Sequence, residues 1–425
     1  AIVDPKQPDC EYPFDKICGA VVAYKVMQIL YEKLGLDKTD FKEYTELAAI
    51  ATVGDVVDLK DENRVIVRQG LAWIATTKNT GLRALIEACE LDAVHLSAYH
   101  IGFIIGPCLN ASGRLDTAQR AIELLLCTEP GKAHEMAQEL RELNEERKNM
   151  TDTEAKKAIE MVEGTDLYED NVLVVYLPEC HESVAGIIAG RLREHFYKPS
   201  IVITDAADGA KGSGRSIEGY NMFEEITKCK ELLTKFGGHP MAAGLSLPEE
   251  NVEKFRRKIN ENCPLTVEEV CPDIHIDMAM PVGYASTELV HQFALLEPFG
   301  KDNPSPLFAD RNLSISRMWV IGKNRNVLRM SVLSEYGQPV PVIFFGDVET
   351  LFAYFTEKFG QEEVHSAGAH GVDHGEPQPA LGVIGIGGAG TGQQRGAGAP
   401  ESGAQLHRHG LRPGAEQPGV HRHVP

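Results

Sequence analysis

The sequence predicts a multidomain α/β protein, because the hydrophobic pattern changes three times along its 425 residues. Residues 1–129 alternate helices of apolar periodicity with short apolar segments, and residues 130–165 form one long, highly charged helical stretch. A strand–helix–strand pattern follows in residues 166–265, whereas residues 266–361 contain strand-like segments alone. About two to four domains are expected for a chain of this length.

The individual elements follow from these patterns in chain order. The mixed charges of residues 141–148 indicate a solvated helix face, so the long helix is expected to connect two domains. The predicted helices and strands, by residue number, are a strand and turn at 1–6, a helix at 16–34, a strand at 172–176, a helix at 184–194, and strands at 201–204, 274–277, 313–315, 327–332 and 340–345.

Composition is that of an ordinary soluble globular protein, with 43% hydrophobic and 24% charged residues. Nine cysteines without a Cys-x-x-Cys pair fit reduced thiols, and no apolar run approaches the about 18–20 residues that span a bilayer. We therefore expect a cytoplasmic protein without a membrane partner. The net charge of −20 argues against nonspecific coating of nucleic acid but leaves room for a local basic groove.

The last segment, residues 362–425, has a different composition. It contains no lysine, aromatic residue, cysteine or methionine, and it holds seven of the fifteen histidines at irregular spacing. Such a segment buries too little apolar surface to fold, so it is expected to be a disordered, low-complexity tail. Our hypothesis for its origin is a reading-frame shift near Gln361.

The segment 236–244, Phe-Gly-Gly-His-Pro-Met-Ala-Ala-Gly, places His239 among small residues. Glycines at 237 and 238 would let the backbone approach a bound phosphate or sugar. Histidine can donate a hydrogen bond or transfer a proton near neutral pH. We therefore predict that Gly237 and Gly238 bind substrate and that His239 is catalytic, with an ordinary turn as the alternative.

Asp55 lies in the apolar run 51–59, where a carboxylate is costly to bury unless it is paired or binds a cation. A helix N-cap or a turn is the alternative for Asp55, and Asp58 is expected at the surface or behind the cation ligands. Trp319 is expected in the core of the all-β region, near Lys323, Arg325 and Arg329, with a stacking platform for single strands as the alternative. His181 is expected to cap a helix, with a position near the substrate as the alternative.

Two further segments carry groups that suit a phosphate. Residues 106–115 bring Asn110 beside Arg114, before a helix predicted at 117–126 whose start would favour an anion. Residues 211–216 combine Ser213, Gly214 and Arg215 in a predicted loop that could cradle a phosphate. Spacing alone is equally compatible with a capped turn in the first segment and an ordinary loop in the second.

Taken together, these motifs resemble the RecJ family of single-strand-specific exonucleases among the DHH phosphoesterases. The resemblance runs from residue 1 to about 361 and includes residues 295–304, which are similar to the start of the family's OB-like domain. It implies the remainder of a DHH-type parallel-sheet domain at 1–129, then the connecting helix. A smaller α/β DHH-associated domain at 166–265 and an incomplete OB-like domain at 266–361 would follow.

The resemblance also implies roles for the candidate residues. Asp55 would bind a catalytic Mn²⁺ or Mg²⁺, and His239 would stabilise the transition state or bind the phosphate. The residues that would grip the strand are Asn110, Arg114, Ser213, Gly214, Arg215, Gly237 and Gly238. Many relatives have arginine where this chain has Cys108, which puts one phosphate contact in question.

The activity implied by the family is 5′-to-3′ digestion of single-stranded DNA in recombination and repair, with a single-strand-binding protein and a helicase as expected partners. The family's paired aspartates and Asp-His-His block do not occur in the 425 residues. Because Asp55 alone cannot hold two ions, we expect an inactive fragment. The alternatives are a DHH-family phosphodiesterase acting on short RNA or cyclic dinucleotides, and a noncatalytic scaffold that binds single-stranded DNA.

Overall fold

The computed structural model describes residues 2–37, 41–266, 269, 274–321, 325–360, 381–385 and 404–406. The chain divides into two compact units, Ala1–Asp273 and Ile274–Pro425. Within the described residues, no helix combines the length and the apolar character that crossing a membrane requires.

The first part of unit one is helical up to residue 129, with no strand among its described residues. The strand predicted at residues 1–6 is therefore wrong for residues 2–6, because no neighbouring strand is available to pair with their backbone groups. The helices are α1 (Gly19–Leu34), α2 (Lys42–Gly54), α3 (Asp61–Ile74), α4 (Thr80–Ala88), α5 (Ala98–His100), α6 (Gly106–Leu115) and α7 (Gln119–Leu126).

The predicted long helix is α8 (Pro130–Glu163), 34 residues and about 51 Å in length. Ala133, Ala137 and Leu140 in its first half join the apolar core of the helical part. Ala158 and Val162 in its second half join a different core, which lies against a β-sheet. The helix thus packs into two different cores through its small apolar residues, as expected of a helix that connects two domains. The rest of its surface is charged.

The segment 106–115, predicted as a turn before a helix, is itself helical. A π-helical turn, Ile101–Ile105, joins α5 to α6 without a break. Pro107 lies just after the π-helical turn, so the helical run passes through a residue that cannot donate a backbone N–H. Burial of Cys108 and Ala111 then holds the helix against the core.

The second part of unit one is a five-stranded sheet in the order β1-β2-β3-β5-β4. The first two strands are parallel and the other pairs antiparallel. Its elements are β1 (Leu173–Tyr176), α9 (Glu182–Phe196), β2 (Ser200–Ala206), β3 (Gly209–Arg215), α10 (Met222–Thr227), β4 (Lys235–His239), β5 (Ala242–Leu247) and α11 (Val252–Glu261).

The loop predicted at 211–216 is instead strand β3 up to Arg215, and the Gly-Gly-His segment ends strand β4. Glycine and serine obscured the two-residue alternation of these strands. Gly212 and Gly214 face the main core of the sheet, where added Cβ atoms would contact Leu245 at 2.9 Å and Met222 at 3.2 Å.

Unit two has a seven-stranded sheet in the order β6-β7-β11-β12-β10-β9-β8. Residues 274–277, predicted as a strand, have no strand structure; Asp277 instead accepts the Leu307 N–H at 2.8 Å, at the start of the unpredicted strand β7. The elements are β6 (Met278–Ala279), α12 (Thr287–Phe293), β7 (Leu307–Arg311), β8 (Ser314–Ile321), β9 (Val327–Leu333), β10 (Pro339–Phe345), α13 (Val348–Phe359), β11 (Leu381–Gly385) and β12 (Ala404–Leu406).

Strands β11 and β12 lie within the segment 362–425, for which the sequence predicts no fold. They pair with β7 and β10, respectively. The other residues of that segment, including its seven histidines, lie outside the described residues.

Candidate nucleic-acid interface

Five arginines from four elements lie near one another where α6, α8, α9 and β3 meet. Burial is the main cause that lowers the pKa of Arg215, followed by the charges of Arg114 and Arg193. Burial likewise lowers the pKa of Arg147, with further contributions from Arg114 and Arg191. We call these residues the arginine cluster: Arg114, Arg147, Arg191, Arg193 and Arg215.

Two members of the arginine cluster are neutralised and three are not. Arg191 pairs with Asp152 at 2.5 Å, and Arg193 pairs with Glu194 at 2.6 Å. Within the described part of the chain, Arg114, Arg147 and Arg215 form no ion pair with a carboxylate. Neighbouring positive charges without carboxylates favour an anion, and guanidinium groups match the geometry of phosphate.

The three unpaired arginines are nevertheless held in place by neutral acceptors. Arg114 donates to the Ser183 carbonyl at 2.9 Å, which ties α6 to the first turn of α9. Arg215 donates to the Gly214 carbonyl at 2.7 Å. Arg147 donates through Nε and Nη2 to the buried Asn144 amide oxygen. The positive charges are therefore positioned before any ligand binds.

One face of strands β3, β5 and β4 carries four of the nine predicted site residues: Ser213, Arg215, Gly237 and His239. Register pairs Arg215 with Ala242 and Ala242 with His239, so these three form one row across the strands. The next rows are Ser213–Gly244–Gly237 and Lys211–Ser246–Lys235. Directly opposite residues share a face, and strands lie about 4.8 Å apart, which places His239 about 10 Å from Arg215 along its row.

A cavity of about 420 Å³ opens on this face, beside the first turn of α9. Its lining includes the small residue Gly244, where an added Cβ would meet no atom closer than 3.9 Å. Its polar lining residues are Glu182, Ser183, Thr204, Lys211, Ser213, Lys235 and Ser246.

Gly214 and Gly238, both predicted to bind substrate, lie on the opposite face of the sheet. They share a row with the buried Ala243. A Cβ on Gly238 would lie 2.4 Å from the Ala242 carbonyl oxygen and 2.6 Å from the Ala243 Cα. Close packing between strands therefore leaves no room for a side chain at these two positions, and their predicted contact with substrate stays a prediction.

Replacement of Gly186 by alanine is expected to displace Arg215 without unfolding the protein. The new Cβ would lie 2.8 Å from Arg215 Nη2, and the end of a flexible arginine can move away. Affinity for single-stranded DNA, measured by fluorescence anisotropy, should fall by about tenfold, because a fall of that size corresponds to the loss of one charge-assisted hydrogen bond.

The matched control is Gly190→Ala on the same helix, where an added Cβ meets nothing within 4 Å. Both variants gain helix propensity, but only Gly186→Ala reaches the arginine. Equal DNA affinities for the two variants would contradict the positioning of Arg215 described above.

The remaining predicted residues lie on other elements. Asn110 is exposed one turn before Arg114 on α6. His181 caps α9 by accepting the Ser183 N–H at 3.3 Å, as predicted. Asp55 follows the last residue of α2 and is exposed, so it is a helix C-cap and not an N-cap. No hydrogen bond or ion pair joins Asp55 or His239 to the arginine cluster within the described residues.

The donor set around Asp55 does not make a metal centre. Asp58 is buried and paired with Lys16 at 2.6 Å, so of its two expected positions the surface is wrong, and the position behind the cation ligands stays a prediction. Among the residues that the structure describes, no three His, Cys, Asp or Glu side chains lie together as metal ligands. A two-metal site needs several such ligands, so Asp55 can contribute one carboxylate but cannot hold the ions by itself.

Cys108 faces the core and makes no contact with the arginine-lined surface. Its side chain is 1% exposed, its Sγ lies 3.8 Å from Cys89 Sγ, and it accepts the Asn144 amide N–H at 3.4 Å. This position therefore offers no phosphate contact in this chain. Arg147 was not predicted as a site residue, because the charged run 141–148 indicates a solvated helix face. The uncharged Asn144 within that run was the one residue that could have indicated a buried side.

In unit two, Trp319 is 42% exposed, so its predicted place in the core is wrong. Met318 occupies the core instead, and the two-residue alternation of β8 directs its neighbour outward. Trp319 is paired in register with Arg329 on β9. Lys323 lies outside the described residues. An exposed aromatic residue beside a basic one suits stacking on single strands.

Comparisons with known proteins agree with this arrangement of domains. The family model described as the DHHA1 domain matches residues 169–263, and the one described as the RecJ OB domain matches residues 276–372. A relative from Bacillus subtilis (strain 168), named single-stranded-DNA-specific exonuclease RecJ, is 38% identical over 342 residues. That match covers 80% of this chain and 43% of the relative.

Two crystal structures of RecJ from Thermus thermophilus, one in complex with Mn²⁺ and one with Mg²⁺, also match. Each has a TM-score of 0.73 and 26% identity, covering 94% of this chain and 53% or 56% of theirs. The chain thus spans about half the length of these relatives. The predicted α/β class with a following OB domain is confirmed, and the chain is similar to RecJ proteins over its DHHA1 and OB domains.

Proposed function

We propose that this chain is part of a single-stranded-DNA-specific exonuclease and that its described residues bind the DNA strand. The observation that carries the proposal is the group of three arginines without carboxylate partners, next to a small-residue cavity with serine hydroxyls. The name of the Bacillus subtilis relative supports the substrate. Arg114, Arg215 and Ser213 would hold phosphates, with Asn110 adding a donor.

Digestion would proceed from 5′ to 3′ in recombination and repair, with Mn²⁺ or Mg²⁺ as cofactor. The ions that accompany the Thermus thermophilus structures support this cofactor. When bound, such ions activate water and neutralise charge on the scissile phosphate. Within this chain, Asp55 would supply one carboxylate, His239 a hydrogen bond to the phosphate, and Gly237 room for a close backbone approach.

The purified chain is expected to bind single-stranded DNA without digesting it. Anisotropy of a labelled 5′-phosphorylated oligodeoxynucleotide should report binding that weakens with salt, because arginine–phosphate contacts release counterions. Gel analysis with Mn²⁺ present should show an intact oligonucleotide, since Asp55 is a single ligand.

The two outcomes that contradict this expectation are distinct. Release of nucleotides that depends on Mn²⁺ would show that fewer ligands suffice than we propose. Absence of any binding at low salt would reject the strand-binding role itself. Short RNA and a cyclic dinucleotide serve as competitors, and preferential displacement by either would assign a different substrate.

A single-strand-binding protein and a helicase are the expected partners of such a nuclease, and the cytoplasm is its expected location. Similarity to the RecJ relatives supports both expectations. The eight described cysteines are free thiols, which suits a reducing compartment. Anisotropy with a purified single-strand-binding protein tests the first partner directly.

A further inference from the structure

Two aromatic side chains stack on each other at the surface of the helical part. The ring centroids of Tyr99 and Phe103 are 4.9 Å apart, with an angle of 28° between the ring planes. The side chains are 55% and 66% exposed, respectively. A stacked pair that leaves this much apolar surface in water is a recognised mark of a binding surface.

The backbone at this pair is unusual and packs next to a candidate functional residue. Phe103 lies within the π-helical turn Ile101–Ile105, and such turns occur frequently at functional sites. A Cβ on Gly102 would lie 3.4 Å from Val53 Cγ1, so this turn packs against the end of α2. Asp55 caps that same helix end two residues later.

The helical run continues from the aromatic pair to the arginine cluster. From Phe103 through α6 to Arg114 is eleven residues, or about 17 Å of helix. Asn110 and Arg114 are exposed on this stretch. A surface with aromatic rings at one end and unpaired arginines at the other has the two features that single strands require, a platform for bases and positive charge for phosphates.

We infer that Tyr99 and Phe103 form a stacking platform for bases of the single strand whose phosphates the arginine cluster holds. This inference rests on the proposed function and adds a base-binding contact to it. Stacking is tolerant of sequence because every base has a π-face, so the platform would bind any of the four bases.

The test compares the double variant Tyr99→Ala/Phe103→Ala with the unaltered chain in anisotropy titrations of a 5′-phosphorylated single-stranded oligodeoxynucleotide. The double variant should bind about 5- to 150-fold more weakly, because this is the range of affinity lost when one base no longer stacks on an aromatic side chain. Its dependence on salt should be unchanged, because no phosphate contact is removed.

Two variants serve as controls. Tyr336→Ala removes a 73% exposed aromatic side chain from unit two and should bind like the unaltered chain. Tyr99→Phe/Phe103→Tyr keeps both rings and should also retain full affinity. If the double alanine variant does not fold, as judged by circular dichroism, the single variants Tyr99→Gln and Phe103→Gln replace it, with a proportionate loss expected for each.

An oligonucleotide that carries abasic sites provides an independent readout. The unaltered chain should lose affinity when bases are removed. The double alanine variant should lose less affinity, and the difference is the coupling energy that a double-mutant cycle measures.

Each remaining outcome has a definite meaning. Equal affinity of the double variant and the unaltered chain would overturn the platform while leaving the proposed function intact. Failure of the unaltered chain to bind would overturn the proposed function instead. A change in oligomeric state of the double variant by size-exclusion chromatography, with unchanged DNA affinity, would assign the pair to a protein contact and overturn the inference.

Discussion

Alanine at both Arg114 and Arg215 is expected to weaken binding of 5′-phosphorylated single-stranded DNA by about 100- to 10,000-fold. Each residue would lose a charge-assisted contact of about 1.5–3 kcal/mol, and about 1.4 kcal/mol corresponds to a factor of ten. Neither arginine has a carboxylate partner among the described residues; each donates only to a neutral backbone carbonyl, which leaves its charge available to phosphate. Anisotropy titrations at several salt concentrations provide the measurement.

The same titrations report how many phosphates the two arginines hold. For single strands, the slope of log affinity against log salt changes by about 0.7 for each phosphate contact. A change near 1.4 would mean two phosphates, whereas a change near 0.7 would mean that both guanidinium groups hold one phosphate.

Three controls make this prediction specific. Arg83→Ala removes an exposed arginine on α4 and should leave affinity nearly unchanged at moderate salt. Arg114→Lys/Arg215→Lys keeps the charge but loses bidentate geometry, so its affinity should be intermediate.

The third control is stability. Burial and neighbouring arginines lower the pKa of Arg215, which means that its charged form is disfavoured in the fold. The free energy of unfolding of Arg215→Ala should therefore be equal to or above that of the unaltered chain. A strongly destabilised variant, or unchanged DNA binding, would contradict the proposed role.

Alanine at Gly238 is expected to lower the free energy of unfolding by about 1–3 kcal/mol, the usual cost of overpacking. The new Cβ would lie 2.4 Å from a backbone oxygen and 2.6 Å from the Ala243 Cα, so β4 must move away from β5. His239, at the end of β4, would be displaced with it. Urea denaturation followed by circular dichroism measures the loss.

The neighbouring Gly237→Ala variant separates packing from ligand contact. Its Cβ would meet nothing within 4 Å, so stability should be retained. Gly237 shares a face with Lys235, which lines the cavity, and the added methyl group would project toward that side. We expect weaker DNA binding at normal stability. If Gly238→Ala were as stable as Gly237→Ala, the strand packing described here would be incorrect.

Much of the fold could be predicted because its signals are local. The helix α8 follows from 34 residues of helical pattern, and strands β1, β2, β9 and β10 follow from β-branched apolar runs. Strand β3 could not be predicted in this way. Its glycines and serine carry no hydrophobic alternation, and only pairing with β2 and β5 on either side makes it a strand.

Some residues of the candidate site could likewise be predicted from the sequence, and others could not. The motifs around Arg114, Arg215 and His239 could be found in the sequence because their residue types resemble those of a known family. Arg147 was not found, because its environment depends on the buried Asn144 and on arginines from two other elements, α6 and α9. Trp319 was placed wrongly because one residue of strand register decides which of two neighbours is buried.

The sequence by itself determined which residue types are present, the order of the motifs that resemble those of RecJ proteins, and the helices and strands with strong periodicity. The tertiary structure alone decided which side of the sheet each of these residues faces. Arg215, His239 and Gly237 share one face because strand pairing aligns positions far apart in the chain. Gly214 and Gly238 lie on the opposite face because successive residues of a strand point to opposite sides of the sheet. Contacts between distant segments decide which of the two faces packs against the core.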